Sequence, residues 1–211
     1  MLEIVNLILG NVSTNCYIVA DPATGDAAVI DPAADGNSIL EAAVSRGWKV
    51  GQLWYTHAHF DHFSGADELA RGLDPVPQVA LHSADRLLWE DGGLGKLLQM
   101  NITRFPEPGV DLSATRLLSV GAYRFQVRHT PGHTPGSCVF YCASENVLFS
   151  GDLIFYRAVG RTDLPGGDES ALLTSIRDQV YTLPEETVIL PGHGKPSRVG
   201  EEKCANPFIR T

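Results

Sequence analysis

Three histidines and one aspartate fall within six residues as His57-x-His59-x-Asp61-His62. Neutral imidazole and carboxylate are good ligands for zinc and similar divalent ions. In an extended loop alternate side chains point the same way, so His57 and His59 can converge on one ion. Asp61 and His62 can turn toward a second. A solvated polar loop is the plain alternative, but four such groups crowded together without a metal would repel one another once protonated.

These side chains need elements to deliver them. Residues 2–9, 15–20 and 27–30 are apolar strand candidates, and Asp31-Pro32 ends the third. Ile39, Leu40, Ala43 and Val44 give a helical spacing over 37–46, which Gly47 closes. Residues 50–55 read as a buried strand running straight into the motif, and 63–72 read as a helix with Gly72 as its stop. Between 83 and 105 two short helices are expected. Their apolar set (Leu87, Leu88, Trp89, Leu94, Leu97, Leu98, Met100) reads as core, with a substrate wall as the alternative.

The second half repeats the pattern. A strand over 124–128 runs into H-T-P-G-H-T-P-G at 129–136. Strands over 137–141 and 147–149 follow, the latter running into S-G-D at 150–152. A helix is expected over 169–182, and a strand over 187–190 runs into P-G-H-G at 191–194. His and Asp thus recur where strands end, in both halves. Two sheets packed face to face with helices outside would place those ends along one edge.

With the later strings added, the chain resembles the metallo-β-lactamase-fold hydrolases. His133 in T-P-G-H-T-P-G-S, Asp152 in F-S-G-D and His193 in L-P-G-H-G match that family in order. The resemblance implies an α/β fold, an αββα sandwich of two packed mixed β-sheets flanked by helices. It implies one ion on His57, His59 and His133, a second on Asp61, His62 and His193, and Asp152 bridging both. The cofactors would be two divalent metal ions, zinc first, with iron or manganese as alternatives. Asp61 and Asp152 are the expected catalytic carboxylates.

Asn15-Cys16-Tyr17, Gly160-Arg161-Thr162-Asp163, Pro165-Gly166-Gly167-Asp168 and Asn206-Pro207-Phe208 narrow the resemblance. They resemble the compact glyoxalase II-like (hydroxyacylglutathione hydrolase-like) bacterial enzymes. This implies one domain over 1–211, without the C-terminal helical glutathione-binding domain of the long forms. The implied reaction is hydrolysis of a small anionic thioester such as S-lactoylglutathione by a hydroxide bridging the ions. The Gly160–Asp163 string also occurs in persulfide dioxygenases. They share the fold but use one Fe(II), which here would sit on His57, His133 and Asp152. True β-lactamases generally lack the bridging carboxylate, so Asp152 counts against that activity.

Arg161 falls near a basic residue that contacts glutathione in the family; a local ion pair with Asp163 or Asp168 is the other reading. Tyr156 and Arg157 lie on the same stretch and are candidates to line the cleft. Asp31 is a candidate to orient a ligand histidine, or else a turn residue before Pro32. His129 is a candidate to support a ligand, with a structural role as its alternative, and His82 reads as structural.

Lys plus Arg is 16 and Asp plus Glu is 25, a formal balance of 16 − 25 = −9. This argues against nucleic acid as partner, which needs clustered cations, and against a polybasic membrane anchor. Cys16, Cys138, Cys142 and Cys204 form no C-x-x-C pair and read as thiols in a reducing compartment. The opening M-L-E-I-V-N-L-I-L-G is short, lacks a cationic leader and reads as a strand rather than a signal peptide. No segment reaches 18 uninterrupted apolar residues. A cytoplasmic location is expected, and the sequence carries no reading of oligomeric state.

Overall fold

The computed structural model describes residues 1–209, and for Leu98 the backbone alone. Strands β1 (Glu3–Leu9), β2 (Thr14–Ala20) and β3 (Asp26–Ile30) pair antiparallel in turn. Helix α1 (Gly36–Val44) crosses to β4 (Lys49–Trp54), parallel to β3, and α2 (Ala66–Arg71) leads to β5 (Gln78–Leu81), parallel to β4. After α3 (Arg86–Glu90), strand β6 (Pro108–Asp111) completes a six-stranded mixed sheet in the order β1 to β6.

The second sheet starts with the antiparallel run β7 (Leu117–Val120), β8 (Tyr123–His129), β9 (Cys138–Cys142) and β10 (Val147–Gly151). A small hairpin, β11 (Ile154–Phe155) and β12 (Ala158–Val159), lies outside both sheets. Helix α4 (Glu169–Ser175) continues as a π turn over Ile176–Val180. Strand β13 (Val188–Pro191) returns parallel to β10, β14 (Ser197–Arg198) pairs with it, and α5 (Val199–Ala205) follows. The second sheet is also six-stranded, in the order β14-β13-β10-β9-β8-β7.

Strand pleat explains the layers. In β2 every residue is buried. Cys16, Ile18 and Ala20 face the helices with Ile39, Ala43 and Leu69, whereas Tyr17 and Val19 face the other sheet. Strand β9 does the same on its side: Val139 and Tyr141 meet Leu172 and Ile176, and Cys138, Phe140 and Cys142 point inward. Side chains alternate across a strand, so a run buried on both faces needs a layer on each. The result is the expected αββα sandwich. The inner layer is aromatic: the Trp54 ring lies 5.0 Å from Phe125 and 5.6 Å from Phe140.

Parallel pairing places the chemistry. β3 and β4 are parallel, as are β10 and β13. β8 is antiparallel to β9, which is antiparallel to β10, so β8 also runs with β10. The C-terminal ends of all five therefore open on one edge, where Asp31, the 57–62 motif, His133, Asp152 and His193 follow them. The Cys138 amide donates to the Thr56 carbonyl at 2.8 Å and joins the sheets there.

Several elements differ from the sequence reading. The first motif ends in a 3-10 turn, Phe60–His62, so α2 starts only at Ala66. The 83–105 stretch holds one short α-helix between two 3-10 turns, Ser83–Asp85 and Gly95–Leu98. Its apolar set splits. Trp89 is buried in the core and Leu88 packs against it, while Leu87 and Leu97 are exposed. Cys16, Cys138 and Cys142 are buried, and burial pushes the Cys16 and Cys138 thiols well up, so these are core groups rather than nucleophiles. No helix among the described residues is long and apolar enough to cross a membrane.

Trp54→Ala should remove the centre of the aromatic layer and cost about 3–5 kcal/mol. A urea titration reads this as a lowered midpoint at unchanged slope. A loss below about 1 kcal/mol would show that the sheets are not held together there.

Candidate metal centre

The motif loop leaves β4 over two buried carboxylates. Asp31 accepts from the Thr56 amide at 2.8 Å and from its hydroxyl at 2.7 Å, and its Oδ2 lies 2.9 Å from His62 Nδ1. Asp85, wholly buried, accepts from the Ala58 amide at 3.0 Å, the Thr134 hydroxyl at 2.7 Å and the Gly136 amide at 2.6 Å. It therefore ties the first motif to the loop that carries His133. Burial pushes its carboxyl up, and those three donors oppose the shift. Sequence reasoning missed Asp85. Its only signal was an acidic residue just after the strand and histidine at 81–82.

Other ties fix the remaining donors. His133 Nδ1 lies 2.8 Å from the Arg161 carbonyl, so Nε2 is the nitrogen turned to the site. Asp152 follows the end of β10. At the far end, β2 holds the His193 loop. The Asn15 side chain donates to the carbonyls of Pro191 and Gly194, both at 2.9 Å, and Tyr17 donates to Pro191 at 2.8 Å. Thr14 donates to Asp61 Oδ2 at 3.0 Å. Gly192 leaves room for the donors: a Cβ there would lie 2.2 Å from Asp152 Oδ1.

All seven predicted donors meet. Within each of three groups the ligand atoms lie within 4.8 Å of one another: His57, His59 and His133; His57, His62 and Asp152; Asp61, His62 and His193. His59 Nδ1 and His133 Nε2 are 2.9 Å apart. Asp152 Oδ1 lies 3.5 Å from His62 Nε2, while Oδ2 lies 3.5 Å from His193 Nε2 and 3.7 Å from His133 Nε2.

The electrostatics test whether cations fit. His57 Nε2, His59 Nε2, His62 Nε2 and Asp152 Oδ1 are buried without a hydrogen-bond partner. Buried polar atoms are normally paired, so unpaired ones among the clustered donors call for an occupant. Burial, with the neighbouring imidazoles, holds His57 well below its ordinary value and His59 at about 3. They are neutral donors, as ligation requires. Burial pulls His62 and His193 down as well. The carboxylates outweigh it, raising His62 well above its ordinary value and His193 to about 10. Burial pushes Asp152 and Asp61 up, but the facing imidazoles hold both well below the carboxylate range. Anions thus stand ready for positive charge. One or two divalent ions suit this donor set.

The other candidates sort differently. Arg161 borders a cleft of about 510 Å³ beside the donors, and its guanidinium makes two 2.8 Å bonds to Asp163. Tyr156 and Arg157 do not line that cleft. Arg157 sits at φ 56° in the hairpin turn, which aims it at Glu201 and Glu202 on α5, and its guanidinium covers Tyr156. Phe155 takes the place expected of them. His129 supports no donor side chain directly. It ends β8, stacks on His82 at 4.1 Å and bonds the Pro135 carbonyl at 2.8 Å.

Asp85→Asn should weaken metal binding at His57, His59 and His133 by about 10- to 100-fold, because it loosens both loops. The Asp61, His62 and His193 group should be little affected. Chelator competition measures both; unchanged affinity in the first group would limit Asp85 to stability.

Known proteins match the chain along most of its length. Residues 9–193 match the model of the metallo-beta-lactamase superfamily. The probable metallo-hydrolase YqgX of Bacillus subtilis is 34% identical, over 95% of this chain and 94% of its own. The hydroxyacylglutathione hydrolase GloC of Haemophilus influenzae is 30% identical, over 93% of each. Among solved structures, the BLEG-1 B3 metallo-beta-lactamase superposes with a TM-score of 0.91 at 34% identity, over all of both chains. TTHA1623 in a di-iron-bound form gives 0.86 at 34%, over 97% of this chain and 100% of its own. ETHE1 from Myxococcus xanthus gives 0.79 at 27%, over 97% and 83%. Fold, donor geometry and family match coincide, and the chain belongs to the metallo-β-lactamase superfamily.

Proposed function

We propose that this chain is an iron-dependent enzyme that oxidises a small organic persulfide with O₂, the reading that the Gly160–Asp163 string opened as the alternative to thioester hydrolysis. Residues 1–211 act in it as one catalytic domain. The observation that carries the reading is that His57 shares one donor group with His133 and another with Asp152, while His133 Nε2 lies 3.7 Å from Asp152 Oδ2 and both of these line the cleft. Such a set suits non-haem Fe(II). The di-iron form of TTHA1623 supports iron over zinc.

The balanced reaction takes R–S–SH, O₂ and water to R–SH, sulfite and two protons. Iron held by the trio would supply the redox centre that joins persulfide sulfur and O₂. The chain's own groups do the rest. The Arg161 carbonyl and the Asp31 carboxylate keep His133 and His62 in one orientation each. Asp61, fixed by Thr14, is held as a carboxylate. Phe155, Val159 and Leu164 shield the reacting end from solvent.

Hydrolysis of a thioester on two ions is the second reading. A complete second trio, Asp61, His62 and His193, favours it, as does the H. influenzae relative. In that reading Asp152 joins both ions, and its Oδ1 and Oδ2 face different histidines. The BLEG-1 match also restores β-lactam hydrolysis, which Asp152 had counted against, as a reaction to assay.

Fe(II)-loaded protein should take up one O₂ per sulfite formed from an alkyl persulfide and lose the activity with a chelator. Thiol release from a thioester under argon, with no O₂ uptake on the persulfide, would overturn the oxidative reading in favour of hydrolysis. A fast β-lactam assay with neither would overturn both.

Metal counts per chain test the donor roles separately. Asp152→Ala should lower occupancy at every site it faces, whereas His193→Ala should empty mainly the Asp61–His62 group. Near-full occupancy in Asp152→Ala would show that this carboxylate bridges nothing.

A further inference from the structure

Resting on the reading above that the reacting group is a sulfur compound, we propose that the cleft binds an uncharged, linear apolar arm of the substrate rather than a charged peptide such as glutathione. Its walls are Val12, Phe60, Leu94, Leu97, Phe155 and Leu164. Apart from the histidines, Arg161 is the cation among the described residues that line it, and Asp163 already occupies one edge of that guanidinium, Nε and Nη2, at 2.8 Å each. A substrate carboxylate would meet a guanidinium whose charge Asp163 already offsets.

Nearby cations are engaged as well. Lys96 pairs with Asp91, Arg157 with Glu202, and the Lys195 ammonium sits 3.6 Å over the Tyr156 ring. Glutathione brings two carboxylates and one ammonium. Placing them against apolar walls without partners is unfavourable. An alkyl or acyl chain meets the same walls with no such penalty, and each methylene that enters gains from leaving water.

The apolar wall is built into the site. The Phe60 amide donates to the Gly93 carbonyl at 2.9 Å, and a Cβ on Gly93 would lie 2.4 Å from that amide nitrogen. This contact seats the turn Gly95–Leu98 on the metal-motif loop and brings Leu94 and Leu97 beside His59. On the opposite side Val12 belongs to the β1–β2 turn that precedes Thr14 and Asn15. Leu97 is 68% exposed and Val12 49% exposed. Apolar side chains left open around a concave polar centre mark a surface that a ligand covers.

The test uses unreactive thioethers, so it does not depend on which reaction the centre performs. Calorimetry on metal-loaded protein compares N-acetylcysteamine carrying S-ethyl, S-butyl, S-hexyl and S-octyl chains, together with S-butylglutathione. Affinity should rise about two- to fourfold per methylene until the cleft is full, the fold-change of up to about 0.8 kcal/mol per buried CH₂. Leu97→Asp, a surface change, should flatten the series, and Arg161→Ala should leave it in place. A flat series in the parent protein would overturn the proposal. So would S-butylglutathione binding more tightly than the S-butyl cysteamine. O₂ uptake and thiol release, measured separately, decide the reaction, so failure of that reading and failure of this one give different results.

Discussion

Two buried carboxylates beneath one loop govern the rest of this molecule. Asp31 and Asp85 come from different strand ends, yet both take their donors from residues 56–58. Each also holds something else: Asp31 the ring of His62, Asp85 the loop that leads on from His133. A backbone amide shared with a buried carboxylate cannot be given up without stranding both groups. Three of the four clustered donors in the first motif are therefore fixed by residues that no metal would touch. The sheets, in turn, are shaped to bring those two acids under the same six residues.

Charge and packing then work in opposite directions across a few ångströms. Behind the donors lies an apolar sandwich with Trp54, Phe125 and Phe140 at its centre. In front lies a cleft whose walls are also mostly apolar. Between them stand five imidazoles and two carboxylates, several of them held from outside by Asp31, Thr14 and the Arg161 carbonyl. Low polarity on both sides strengthens every interaction within that layer. It also explains why His57 and His59 are held neutral, while His62 and His193, nearer the carboxylates, are held up.

Much of this was legible in the sequence because period and chemistry agree. All seven donors sit where apolar runs end, so strand reading and motif reading reinforced each other. The unbroken apolar runs in β2 and β9 match their burial on both faces. Asp85 was not legible, because a buried acid after a short strand looks like any turn residue until the loop it holds is seen. Tyr156 and Arg157 failed for a related reason. Proximity along the chain to Gly160–Asp163 suggested the cleft, but the two-residue turn, with Arg157 at φ 56°, carries the Arg157 side chain toward Glu201 and Glu202 on α5 instead. The split of the 83–105 leucines depends on how one 3-10 turn docks on Phe60, a long-range contact that helical spacing does not encode.

The Asn15 clamp has a consequence for how the protein comes into being. Its partners, Pro191 and Gly194, lie 176 and 179 residues further along the chain. Closing such a contact is slow compared with pairing neighbouring strands, because the entropy of a long loop is lost before the contact forms. During synthesis the first sheet can take shape with β2 in place while the partner of its exposed end is still unmade. The centre is thus finished last, by the arrival of the His193 loop on a surface laid down at the beginning. The early histidines therefore exist in the chain well before the residue that completes the donor set.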